Sequence, residues 1–143
     1  MFQLCEPIHV LLYYKPADKM TKYPSINMEA EGLKIILEFA EVDANLLIEL
    51  IESVIDSSPL IISNLQKAIS SNDITNTKLY SHSLKSSANL IGASELYLLC
   101  RNMENNCSNG MSIEEINALF NSILSEYKNV ISDLKLWRAD MKC

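Results

Sequence analysis

Apolar residues return at intervals of three and four, the period of an amphipathic helix, over most of the chain from Asn27 to Trp137. The longest seam is Ile113, Ile116, Phe120, Ile123, Tyr127, Val130, Leu134 and Trp137. Alternation of this kind over more than three heptads suits a bundle helix. Upstream, Leu46, Leu47, Leu50, Ile51 and Val54 make one stripe. Ile61, Ile62, Leu65, Ala68 and Ile69 make a second, and Leu96, Leu99, Cys100, Met103 and Cys107 a third. Ile74, Thr77, Ser81, Leu84, Ala88 and Ile91 form an inner face of mixed polarity.

Polar residues at the ends of these stripes divide them into six helices. Asn27 is placed to cap a first helix, residues 28–39, and Asp43 a second. Ser58-Pro59 reads as the start of a third, with a capping serine before proline at the first helical position. Ser71-Asn72-Asp73 breaks that helix and caps a fourth, which ends at Gly92, a residue suited to the left-handed position after a helix. A fifth spans residues 93–107. Ser112 and Glu115 form a capping box at the start of the last. Short connections between the last helices imply antiparallel neighbours. The fold class is therefore all-α: an up-and-down antiparallel four-helix bundle with one or two additional short N-terminal helices. The bundle occupies residues 26–140, and residues 1–25 are an N-terminal extension or arm. That arm holds three prolines and the apolar run at residues 8–14, which contains His9. His9 is assigned no chemical role.

Composition narrows the class of partner. Twelve basic against 18 acidic residues leave a net charge of −6, which disfavours a phosphate backbone as ligand. No apolar run reaches the about 18 residues that suggest a membrane span, and the N-terminus lacks a basic leader. The four cysteines, Cys5, Cys100, Cys107 and Cys143, have no metal-site spacing. Cys100 and Cys107 would lie about 10 Å apart on one helix, too far for a disulfide. Reduced thiols fit a cytoplasmic protein.

The fourth helix carries the candidate chemistry. His82 falls about 130° from the centre of its inner face, so it points outward. Lys85 follows one turn later, with Ser86 beside it, and Lys78 lies one turn before. Reflecting His82 about the Gly92-Ala93 turn places Asn102, Met103 and Glu104 level with it on the next helix. Met103 belongs to the core stripe, so Glu104 takes the flank, where it can accept a hydrogen bond from Nδ1–H and leave Nε2 free. A solvated glutamate is the competing reading. No glycine-rich phosphate loop, acidic metal cluster or second histidine at ligand spacing accompanies His82.

The run His82-Ser83-Leu84-Lys85-Ser86-Ser87, closed by Ile91-Gly92-Ala93, resembles the motif of histidine-containing phosphotransfer (HPt) domains, His-x-x-Lys-Gly followed by small residues and a glycine-terminated helix end. Ser86 departs from it, standing where the family usually has glycine, and narrows access above the histidine. The resemblance implies a phosphorelay intermediate: His82 is the phosphoacceptor, Lys85 stabilises charge, and Ser86, Glu104 and Lys78 support them. Glutamine or glutamate often holds the place of Glu104 in that family. Leu79, Ser83 and Asn89 are candidate partner-docking positions, Leu79 by its outward angle. The implied partners are the receiver domains of a response regulator and of a hybrid sensor histidine kinase. The chain itself binds no cofactor, and Mg²⁺ is expected on the receiver. The oligomeric state is open. So is the choice between a free-standing protein, which a start at Met1 favours, and a piece of a hybrid kinase. Two alternatives remain: an interaction module of the same fold that binds a receiver or kinase with little transfer, and a helical adaptor with an incidental histidine.

Overall fold

The structure is a computed structural model and describes residues 22–43 and 45–142. The apolar run at residues 8–14, His9, Cys5 and Cys143 lie outside the described residues. Five helices follow in order: α1 Glu31–Val42, α2 Asn45–Ser70, α3 Ile74–Leu90, α4 Ser94–Asn106 and α5 Ile113–Met141. Each of α2 to α5 packs on the next, and α5 returns to α2, closing a four-helix bundle. The short α1 lies across α2 and α3. Among the described residues there is no strand, and no helix is long and apolar enough to cross a membrane.

Local chemistry accounts for the helices that frame the site. The Asn76 amide donates to Asp73 Oδ1 at 3.0 Å, capping α3. The Glu115 amide donates to Ser112 Oγ at 3.1 Å, capping α5. The long seam of α5 is buried from Ile116 to Trp137 and ends in buried Met141. Its first member, Ile113, is instead exposed at the bundle end, as is Ile74 at the start of α3.

Two expected boundaries are corrected. Ser58-Pro59 does not begin a helix, because α2 runs unbroken through Pro59. Proline removes one backbone donor there. Val54, Ile55, Ser58 and Ile62 nevertheless form one continuous buried stripe on both sides of it. Ser58 is 1% exposed and its hydroxyl pairs with the Tyr127 hydroxyl at 2.8 Å, so it serves the core rather than a cap. Leu46 turns outward and Leu50 and Ile61 are half-buried, while Ile48 and Ile55 join the core instead.

The second correction concerns Asn27. The first helix begins at Glu31, and Asn27 belongs to a strap, residues 22–30, laid over the bundle. The Asn27 amide donates to the Gly92 carbonyl at 2.7 Å, and the Ser25 amide to Asp133 Oδ2 at 2.9 Å. The Tyr23 hydroxyl donates to Asp140, which Lys22 meets at 2.9 Å, and the Tyr23 ring stacks on Trp137 with centroids 5.7 Å apart. Burial, then Asp140, pushes the Tyr23 phenol above its ordinary range. Packing against the bundle thus reaches back at least to Tyr23, which is 2% exposed.

The strap and α1 sit on the end of α3 at minimal distance. Gly92 has φ +73, and a Cβ there would lie 2.5 Å from the Asn27 carbonyl oxygen. A Cβ on Gly32 of α1 would collide with the Asn89 carbonyl oxygen. The C-terminal end of α3 is therefore enclosed, whereas its outer face one to three turns earlier is open.

Candidate functional site

His82 stands on that open face. Its side chain is 57% exposed, while Ser81 and Leu84 on either side of it are buried. The short α3–α4 connection brings Glu104 of α4 level with it. His82 Nδ1 and Glu104 Oε1 are 2.8 Å apart. A carboxylate can only accept, so Nδ1 carries a proton, and in the neutral ring the free lone pair is on Nε2.

Lys85 completes the cluster from one turn along α3, with Nζ 2.6 Å from the other carboxylate oxygen, Glu104 Oε2. The contact is an ion pair without hydrogen-bond alignment at that oxygen. Burial pushes the Glu104 carboxyl up, but Lys85 and His82 together outweigh it and hold it below its ordinary value. Glu104 is thus a charged acceptor shared between a ring nitrogen and an ammonium group.

The other singled-out residues lie around this cluster. Ser86 is exposed, and its hydroxyl donates to the His82 carbonyl at 3.0 Å. Ser83 is half-buried and donates to the Leu79 carbonyl at 3.1 Å. Both hydroxyls are thereby turned onto their own helix rather than toward the ring. Leu79 is 53% exposed on the same side as His82. Lys78 is exposed and its charge acts on Cys107, one turn from Glu104, so it stands outside the His82–Glu104–Lys85 contact set. Asn89 is exposed two turns beyond His82, against Gly32 of α1.

Two features escaped the reading of the sequence. The first is the pairing of Lys85 with Glu104: the turn reflection sets Lys85 level with Cys100, one turn from Glu104, and the length of the lysine side chain closes that gap to form the ion pair. The second is an apolar flank on α1, where Ile35 is 55% and Phe39 58% exposed. These two share a helix face with Gly32 at three-and-four spacing, a pattern visible in the sequence but without a partner helix to orient it.

The Hpt domain family model matches residues 49–136, more than half of the chain. Among solved structures, the HPT domain of an Hpt sensor hybrid histidine kinase from Shewanella superposes with a TM-score of 0.67 at 21% identity. It covers 83% of this chain and 97% of that one. Histidine-containing phosphotransfer protein B (HptB) from Pseudomonas aeruginosa PAO1 gives a TM-score of 0.71 at 19% identity, covering 83% of this chain and 98% of that one. No curated protein matches the chain by sequence. The helical bundle, the outward histidine oriented by a carboxylate, and the family match over its helices agree: the chain belongs to the Hpt domain family, with a role in histidine phosphotransfer to and from receiver domains in phosphorelays.

Proposed function

We propose that His82 is the phosphoacceptor of this domain, taking a phosphoryl group from the aspartyl phosphate of one receiver domain and passing it to another. The observation that carries the assignment is the 2.8 Å contact between Nδ1 and Glu104 on a ring that is otherwise open to solvent. It fixes the tautomer of the neutral ring in which Nε2 can attack without a separate base. The Nε2–P bond forms as the P–O bond to the receiver aspartate breaks, and the bond's electron pair leaves with the carboxylate. The ring becomes cationic and retains its Nδ1 proton, facing Glu104.

Transfer also needs the phosphoryl group held in line with its charge balanced. No group of three or more metal-ligating side chains lies together among the described residues. The receiver is expected to bring Mg²⁺ together with its aspartate, and this chain to bring the nucleophile and its orientation. Leu79, exposed next to His82, supports an apolar docking area on this side of the bundle, and Ile35 and Phe39 add exposed apolar surface on α1. The receivers concerned would be those of a hybrid sensor histidine kinase and of a response regulator. Two buried free thiols, Cys100 and Cys107, suit a cytoplasmic setting.

Transfer is favoured over an interaction module without transfer, because the serine in place of the motif glycine folds its hydroxyl onto its own helix and leaves Nε2 uncovered. The test is phosphoryl transfer from a panel of receiver domains phosphorylated with acetyl phosphate to wild type and His82→Gln. Labelling of wild type alone is expected. Equal labelling of folded His82→Gln overturns the assignment, and binding of a receiver without labelling of wild type favours the module.

A further inference from the structure

The partner of the His82 ring is a full carboxylate rather than a neutral amide, and Lys85 keeps it ionised through its second oxygen. Either group could fix the tautomer, since an amide oxygen accepts from Nδ1–H as well as a carboxylate does. They differ once the ring is phosphorylated. Phosphorylation at Nε2 leaves a ring that is cationic while Nδ1 stays protonated and loses its charge when that proton leaves. Only the protonated ring departs as neutral imidazole when the P–N bond breaks.

Resting on the reading of His82 as acceptor, we infer that the negative charge of Glu104 keeps the Nδ1 proton on phosphorylated His82 above neutral pH, so that the loaded domain stays a competent donor there. Glu104 is a positioning residue in this account, because it touches the ring and never the phosphoryl group. In the donation step the receiver carboxylate forms its O–P bond as the Nε2–P bond breaks. The electron pair of that bond returns to Nε2, the proton remains on Nδ1, and His82 leaves neutral. A carboxylate beside an imidazolium acts in the same sense wherever it anchors a histidine through Nδ1–H.

The surroundings leave this effect to Glu104. On α4, the buried Cys100 and Cys107 thiols lie one turn to either side of it. Burial pushes Cys100 up to about 12 and raises Cys107 as well, so neither carries charge near neutral pH. On α3, Lys85 contacts the carboxylate and Lys78 acts on Cys107. Besides burial, the groups that set the Glu104 carboxyl are Lys85 and His82. An opposite charge in hydrogen-bond contact favours the protonated form, and the exposure of His82 to solvent moderates the effect.

The experiment uses the full chain in a His9→Ala background, where His82 is the only histidine. Wild type, Glu104→Gln and Lys85→Met are loaded with phosphoramidate. Nitrogen NMR then follows the Nδ1 proton of phosphohistidine from about pH 6 to about pH 10, alongside the rate of phosphoryl loss. Glu104→Gln is expected to lower the midpoint by about one unit and to slow phosphoryl loss about tenfold on the alkaline side. Lys85→Met is expected to hold the midpoint at or above that of wild type, because the cation that opposes ring protonation is gone. Normal loading of His82 with the same midpoint in Glu104→Gln overturns the inference alone. An equal fall in Lys85→Met also overturns it, assigning the effect to loosening of the cluster. Failure of folded wild type to load at His82, from phosphoramidate or from a phosphorylated receiver domain, overturns the acceptor reading and the inference with it.

Discussion

Gly92→Ala isolates how the strap is held against the end of α3. Two costs act there. Alanine at φ +73 occupies the left-handed region, at about 1–1.5 kcal/mol. The new Cβ would also stand 2.5 Å from the Asn27 carbonyl oxygen and 2.8 Å from Leu33 Cδ2. Relieving the backbone contact requires the strap to move, which breaks the 2.7 Å bond from the Asn27 amide to the Gly92 carbonyl at about 1 kcal/mol and loosens apolar packing by a similar amount. The total is about 3 kcal/mol, or about 12 °C in Tm for a domain of this size. Gly110→Ala is the internal control, since Gly110 has φ +82 but nothing within 4 Å of its Cβ position. It shares the conformational cost of about 1–1.5 kcal/mol and lacks the collision. Urea denaturation compares the two variants, and fluorescence of the single tryptophan, Trp137, reports on the strap through the stacked Tyr23. Equal losses in both variants, with unchanged Trp137 emission, would refute the close seating of the strap.

Leu79→Asp should change stability by less than about 0.5 kcal/mol, as an exposed substitution, while weakening receiver binding about tenfold by titration calorimetry; unchanged affinity would remove Leu79 from the docking area. Tyr127→Phe should cost about 1–2 kcal/mol by leaving the buried Ser58 hydroxyl unpaired. Adding Ser58→Ala should cost less than the sum of the single changes, and strict additivity in urea midpoints would contradict that pairing. The Tyr23 hydrogen bond, then Lys22, holds the Asp140 carboxyl below its ordinary value of 3.8. Its contribution is therefore present above that value and lost as pH falls through the lowered folded value. Acid titration of Trp137 fluorescence should show the strap loosening in that window, and Asp140→Asn should remove the transition.

The parts of the fold that could be read in advance are those governed by local rules. Asp73 and Ser112 cap the helices they were expected to cap, because a side-chain oxygen three residues before an amide needs no tertiary partner. Glu104 was placed beside His82 because a short turn between antiparallel helices fixes which residues stand level. What stayed hidden depends on distant contacts. Ser58-Pro59 carries a valid local start signal, but burial of Ser58 against Tyr127, 69 residues away, keeps α2 continuous. Asn27 is a good cap by type, yet its amide is taken by Gly92 and its segment is tied to Asp133. Ile74, Ile113 and Leu46 follow the apolar period and still face outward, because periodicity marks a face without showing where the neighbouring helix ends. At the site, the histidine and its lysine lie in one short motif, whereas the ion pair that ties Lys85 to Glu104 depends on side-chain reach across the hairpin.

The most direct test of the account is the position of the phosphoryl group after transfer from a phosphorylated receiver domain. Phosphorus–nitrogen NMR on the loaded chain identifies both the residue and the ring atom. With Nδ1 engaged by Glu104 at 2.8 Å, the account predicts a single phosphohistidine at His82, bonded through Nε2. Phosphorylation through Nδ1, or on any residue other than His82, would contradict it.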